Sequence, residues 1–502
     1  MHTSVEVSMD MTSSAIHARP TLDGLADEIL LEILSHISIR NRYDIDFKTW
    51  DGSAEIESRV ATLHSLSLVS RNIHRVANPL LYSVLTSCGI ARNRRDFLRT
   101  AVRKAELAAS VREVRFSYFD WVVDRSGIPP SHSDVLEAAR LVELGPEMGI
   151  TEKFHDALQE GFNDSDVALL FSQLPNLEMV EFEVDETWFH TWQWLLRLVR
   201  ISAEMASGPF SSLRHLKARY GNENQSGFNP LFIQDWTALP SLTTIEVSGA
   251  WCDERDGDRP VTLPSNSNIT TLSFHASALS NDYIGCALGA FPGLKSFCYD
   301  WARYATCSSE NYPEGIRNAL NIRKDSLERL HLLMLAGGGD FCLGAMDRGL
   351  SVPPFGSFKD LARLKCLEVS EFLLTGVTYV GIDIERPMLT GGSYSALVDV
   401  FPASLEVLRI GCRRFKHTSI PPGERLRFFE ELLRHVAHLP HFRCLDLVLH
   451  EGTGVWRSQA PYEDYEDEIE RIVELGHASD ISFRVMAPEQ WKQESSVLGK
   501  GC

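Results

Sequence analysis

The stretch LAGGGDFCLG, Leu335–Gly344, is rich enough in glycine to bring backbone N–H groups close to a phosphate. It lacks the lysine and the Ser/Thr that complete a phosphate loop, so it reads as a loop following a strand. His435, His438 and His441 recur at a spacing of three near one helix end, which could align metal ligands. Histidines at that end of a helix also favour its dipole as surface residues, and that is the reading preferred here. The cysteines, from Cys88 to Cys502, include no C-x-x-C pair, so a zinc module of the usual spacing is absent. Neither H-E-x-x-H nor G-x-S-x-G occurs. The acidic run YEDYEDEIE, Tyr462–Glu470, reads as a solvated helix start, and Trp188 and Trp192 as core or rim residues. The expectation is a chain with no catalytic residue, metal or cofactor, which must act by binding.

Composition narrows what it could bind. The formal net charge is −19, which argues against a nucleic-acid binder, since that needs a basic footprint. Hydrophobic residues make up 44% of the 502, enough to bury a core along most of the chain. That length exceeds one compact core and predicts several domains or an elongated repeat array. Residues 1–19 carry neither a basic n-region nor an apolar h-region and read as a disordered leader. No apolar run reaches about 18 residues, so no membrane span is expected. The cysteines are then read as reduced thiols of a protein of the cytoplasm, the nucleus or both. The sequons at Asn163, Asn224 and Asn268 are expected to be unused.

The N-terminal elements are helical. In LADEILLEILSHI, Leu25, Ile29, Leu30, Ile33, Leu34 and Ile37 fall three and four apart, on one broad helix face. Asp27 and Glu28 occupy the first turn, where negative charge suits the dipole. Leu63, Leu66, Ile73, Val76 and Leu80 repeat the pattern downstream, where Pro79 is expected to end or restart a helix. So small a unit tends to leave apolar surface exposed even when its helices pack together.

These residues resemble the F-box, whose usual opening is L-P-x-E-I-L-x-x-I. Leu25, Glu28, Ile29, Leu30 and Ile33 match that opening. LSLVSRNIHRVANPLLY resembles the second half found in many fungal F-box proteins, through Leu68, Val69, Ser70, Arg71, Pro79, Leu80, Leu81 and Tyr82. Ala26 stands where proline is usual, which removes a pre-set first helical turn. The spacer, residues 38–62, is longer than in the family and is expected to loop out. The resemblance implies an F-box-like domain over residues 20–88. Its adaptor-binding set would be Leu25, Glu28, Ile29, Leu30, Ile33, Leu34, Leu68, Val69, Pro79, Leu80, Leu81 and Tyr82.

Beyond it, leucine-like residues recur at positions 1, 4 and 6 of short segments. They begin at Val111, Leu177, Leu213, Leu242, Ile269, Leu294, Leu327, Leu364, Leu405 and Phe442. LPNLEMVEF, LPSLTTIEV, FPGLKSFCY and LPHFRCLDL share an apolar residue and a proline just ahead. From Leu177 the intervals run from 25 to 41 residues, a repeat-protein period. The interval from Val111 to Leu177 is about twice as long and reads as an insertion. Positions 4 and 6 alternate with polar residues, as in a strand with one buried face, and helical patterns lie between. The fold class expected is α/β: a small helical unit, then a right-handed α/β coil over residues 89–486. It is similar to an irregular leucine-rich-repeat horseshoe without the asparagine usual at position 9, followed by a tail, 487–502.

An F-box followed by repeats implies the substrate-recognition subunit of a Skp–cullin–F-box ubiquitin ligase. The partners implied are a Skp-type adaptor, a cullin ligase reached through it, and an unknown protein target. The alternatives are a repeat scaffold without ligase association and an enzyme with a helical cap. Positions 3 and 5 of the strands should form a solvated polar face. Its candidate target-binding residues are Lys217, Glu246, His331, Glu368, Arg409 and Asp446.

Overall fold

The computed structural model describes residues 22–38, 50–86, 94–116, 133–142, 144–145, 149–160, 163–184, 192–205, 208–220, 227–230, 233–252, 267–301, 312–333, 351–352, 354–378, 400–414, 424–451, 463–477 and 481–486. The leader, the tail and the glycine-rich Leu335–Gly344 stretch lie outside them. The chain divides into two compact units, Met1–Ser83 and Val84–Cys502.

The first unit contains α1 (Asp27–Ser35), α2 (Trp50–Ser67) and α3 (Arg71–Leu81). The Ala26 carbonyl accepts the Ile29 and Leu30 amides at 3.1 and 3.0 Å and starts α1. Ala26 has φ −62°, close to the value a proline would impose, so its backbone makes the turn unaided. The Ser70 hydroxyl accepts the Ile73 amide at 3.2 Å and caps α3. Pro79 sits inside the last turn of α3 rather than ending it; the helix stops two residues later, at Leu81. Leu30, Leu34, Leu63, Ile73, Val76 and Ala77 form the buried core. Arg59 on α2 donates to the His36 and Ile37 carbonyls at 2.9 and 3.4 Å, which places a cation at the C-terminal end of α1.

The expected loop at 38–62 is corrected in its second half. Residues 50–62 belong to α2, and Ile56 is buried. The loop was inferred from the family's usual length, whereas Ile56 and Leu63, two turns apart, give that segment an apolar face to bury. Residues 39–49 lie outside the described residues.

The second unit is a twelve-stranded sheet whose neighbouring strands are all parallel and follow chain order. Its strands are β1 (Val84–Thr86), β2 (Glu113–Phe116), β3 (Met179–Val184), β4 (His215–Tyr220), β5 (Thr244–Ser248), β6 (Thr271–Ser277), β7 (Ser296–Trp301), β8 (Arg329–Leu333), β10 (Cys366–Ser370), β12 (Val407–Arg414), β13 (Cys444–Glu451) and β14 (Ser482–Met486). Two short segments, β9 (Ser351–Val352) and β11 (Val377–Thr378), pair antiparallel with each other. The coil begins earlier than residue 89, because β1 pairs with β2. Among the described residues of the long interval after Val111, Ser133–Ala139, Ile150–Glu160 and Asn163–Ser172 are helical, and β2 still pairs directly with β3.

A repeated backbone device sets the register. From β2 to β12 the position-2 carbonyl ahead of a strand accepts two amides from the next: Arg112 from Glu178 and Met179, Thr243 from Thr270 and Thr271, Glu328 from Lys365 and Cys366. A turn bond precedes position 1, from Leu242 to Leu239, from Leu294 to Phe291 and from Phe442 to Leu439, which is where the apolar–proline lead-in falls. Positions 4 and 6, such as Leu216, Ala218, Leu367 and Val369, enter one continuous apolar core with the helices.

Leu30→Ala should cost about 2–5 kcal/mol in urea unfolding of the first unit, because the six-residue core has little to collapse with. Ile33→Ala, at an exposed position on the same helix, should cost less than about 1 kcal/mol.

Candidate interaction sites

Two surfaces concentrate the residues singled out from sequence, one on each unit. In the first unit, Leu30 and Leu34 are fully buried and cannot meet a partner. Leu25, Leu80 and Leu81 pack partly against that core, and Tyr82 is half-buried. Glu28 and Pro79 are exposed. Ile29, Ile33, Leu68 and Val69 point to solvent, the last two 71% and 65% exposed in the turn between α2 and α3. Leu22, Leu31 and Val60 join them, so seven of the ten exposed large hydrophobic side chains among the described residues fall in this small unit. Asp27 and Arg75, joined by a two-pronged ion pair, add a charged edge that tethers α1 to α3. The Arg75 hydrogen bond holds the Asp27 carboxyl below the usual carboxylate range.

On the second unit the six candidates from the strands stand in one file across the sheet, because the strands stack in register. The file runs Arg115, Glu181, Lys217, Glu246, Ser273, Cys298, His331, Glu368, Arg409, Asp446, Arg484. Their signs alternate wherever they are charged. Arg219 meets Glu181 at 2.6 Å, Lys217 meets Glu246 at 3.5 Å, and His215 meets Glu246 at 3.1 Å. Further along, His331 meets Asp300 at 3.4 Å and Glu368 at 3.2 Å. Arg409 meets Asp446 at 3.1 Å and Glu368 at 3.9 Å, and Arg484 grips both oxygens of Asp446 at 2.8 and 2.9 Å.

The expectation of a solvated face is overturned on both sides of its middle. Arg115 and Glu181 are buried toward the N-terminal end, and Glu368, Arg409 and Asp446, at 4%, 3% and 0% exposure, toward the C-terminal end, whereas Lys217, Glu246 and His331 between them are half-buried. Adjacent strands lie about 4.8 Å apart, so long charged side chains in one file cover one another. The register itself is as read, with positions 4 and 6 in the core.

Ionisation follows from these contacts. Burial opposes the charge on Glu246, Asp300 and Asp446, but His215 and Lys217, His275 and His331, and Arg484 and Arg409 hold the three carboxyls below their usual range. Burial likewise opposes protonation of His275 and His331, yet the neighbouring Cys298, Asp300 and Glu368 keep both rings well above the ordinary histidine value. Asp164, which sequence reasoning missed, behaves the other way. Its carboxylate accepts the Trp194 and Leu195 amides at 2.6 and 3.0 Å at the start of the Gln193–Glu204 helix, and burial pushes it up to about 7 against those donors. A helix start needing a distant cap leaves no local sequence signal.

The remaining chemical candidates are dispersed. His435 pairs with Glu431, His438 and His441 are exposed, Trp192 is buried, and Trp188 lies outside the described residues. Among the described residues no group of three or more His, Cys, Asp or Glu is placed to hold a metal, and no helix is long and apolar enough to cross a membrane. No protein-family model matches the chain, and no curated protein matches it.

Arg409→Glu should lower stability by about 3–5 kcal/mol, since it leaves Asp446 and Glu368 facing a like charge in a buried file. Lys217→Glu, nearer solvent, should cost less; paired melting curves distinguish the two. The raised histidines add stability that is complete below about pH 6.5 and lost as pH rises through their folded-state values. Asp164 also loses its contribution as pH climbs from 3.8 through about 7, whereas the lowered carboxyls lose theirs as pH falls below about 4. Urea midpoints should therefore peak near pH 5 and decline toward pH 9. The alkaline part of that decline should shrink when His275 and His331 are both replaced by glutamine.

Proposed function

We propose that this chain is a target-recognition subunit of a Skp–cullin–F-box ubiquitin ligase, with the first unit docking on a Skp-type adaptor and the second holding a protein target. The observation that carries the reading is the concentration of exposed aliphatics, Ile29, Ile33, Leu68 and Val69 among them, on a unit with a six-residue core. A solvated monomer has no use for such a surface, and an adaptor would cover it. The F-box-like spacing of Leu25, Glu28, Ile29 and Leu30 and of Leu68, Val69, Pro79 and Leu80 supports the same partner.

In this reading the protein acts by proximity. It raises the target's effective concentration next to the conjugating enzyme and supplies no reacting group of its own. The target would meet the partly open middle of the charge file, at Lys217, Glu246 and His331, where charges set specificity and on-rate more than affinity. Glu368, Arg409 and Asp446 would support that face from within.

The double variant Leu68→Asp with Val69→Asp tests the assignment. Both side chains are exposed, so melting should not change, while affinity for a purified Skp-type adaptor should fall by about 2 kcal/mol or more, roughly thirtyfold. Adaptor capture at the wild-type level would refute the docking role and leave a repeat scaffold without ligase association.

A further inference from the structure

Midway along the charge file, between Ser273 and His331, stands Cys298. Its sulfur lies 3.8 Å from His275 Nδ1, and the thiol is partly open to solvent. Asp300, two residues on along β7, takes contacts from both neighbouring histidines, at 3.2 Å from His275 and 3.4 Å from His331. The carboxylate thus orients two imidazoles beside one sulfur. His275 reaches this position at a bulge: the pairing of β6 with β7 shifts between Phe274 and Ser277, and Ala276 adopts φ 44°. A non-glycine residue in that conformation is strained and persists only where its surroundings hold it.

The imidazoles are held by carboxylates on more than one side: Asp300 meets both rings, and Glu368, which Arg409 also meets, faces His331. Two other cysteines on the same sheet face provide an internal contrast. Burial pushes Cys366 and Cys444 up to about 11, and the Cys444 thiol donates to Asp446. At Cys298 burial acts in the same direction, but the His331 and His275 imidazoliums outweigh it and hold the thiol below its ordinary value.

We propose that Cys298 is a modification site that reacts, as its thiolate, with hydroperoxides to form a sulfenic acid. The sulfur lone pair attacks the distal peroxide oxygen; the S–O bond forms and the O–O bond breaks. The cysteine sulfur is oxidised by two electrons, and the peroxide is reduced to alkoxide or hydroxide. His275 donates its proton to that leaving oxygen and recovers one from water. The cluster supplies what a reactive thiol needs: cationic neighbours, partial exposure and a rigid sheet to hold them. The site stands independently of the ligase reading.

The test uses the full chain and follows each cysteine by peptide mass spectrometry. Iodoacetamide alkylation of Cys298 should change by clearly less between pH 6 and pH 9 than the roughly two hundredfold of an ordinary thiol. Exposed Cys286 serves as the comparison in the same sample. Hydrogen peroxide followed by dimedone should place an adduct on Cys298 in the wild type and none there in Cys298→Ser. His275→Asn should shift the alkylation profile to higher pH with the circular dichroism spectrum retained; His331→Gln gives a second reading of the same effect. An ordinary pH profile at Cys298, an unreactive thiol at every pH, or a profile unmoved by both histidine variants would overturn the proposal.

Discussion

Everything in the second unit depends on parallel stacking in strict register. One carbonyl accepting two amides at each step from β2 to β13 pins where each strand begins to pair. A position in the repeat therefore becomes a file across the sheet, and its residues meet their own counterparts rather than a varied surface. Apolar files fuse into a single core. A polar file has to be complementary along its length, since like charges side by side in neighbouring strands would repel at close range. The alternation from Arg115 to Arg484 meets that requirement, with Ser273 and Cys298 standing between its two charged stretches.

Such a file specifies structure more than it stabilises it. Desolvating Glu368, Arg409 and Asp446 consumes much of what their pairing returns, so the same volume filled with aliphatics could be as stable. A slip of one residue, however, would put these charges among Leu330, Leu367 and Leu408 and expose those leucines, which is prohibitive. The charges thus penalise wrong registers, while the core rewards the right one.

The first unit meets the burial requirement differently. Among the described residues the three helices enclose a cluster of six core residues, held together by the Ser70 cap, the Arg59 contacts to the end of α1 and the Asp27–Arg75 pair. Polar tethers of this kind fix the helices without covering Ile29, Ile33, Leu68 or Val69. A repeat coil can extend its core indefinitely, whereas a three-helix unit cannot, and the leftover apolar surface follows from size alone.

Sequence by itself determined the periodic features. The recurrence at positions 1, 4 and 6 located the buried side of nearly every strand, and the spacing of Leu30, Leu34, Ile73 and Val76 located the helical core. These depend on period two and period 3.6, which are local properties of the chain. Tertiary structure alone decided what depends on partners far apart in the chain. Arg409 becomes buried only because Glu368 and Asp446 arrive from strands on either side, and Asp164 caps a helix thirty residues away. Val84–Thr86 becomes a strand of the sheet only by pairing with β2. Residues 50–62 become helix because Ile56 and Leu63 have a surface to bury against. The meeting of His275, Cys298, Asp300 and His331 needs three strands and a bulge, and no spacing within any one segment encodes it.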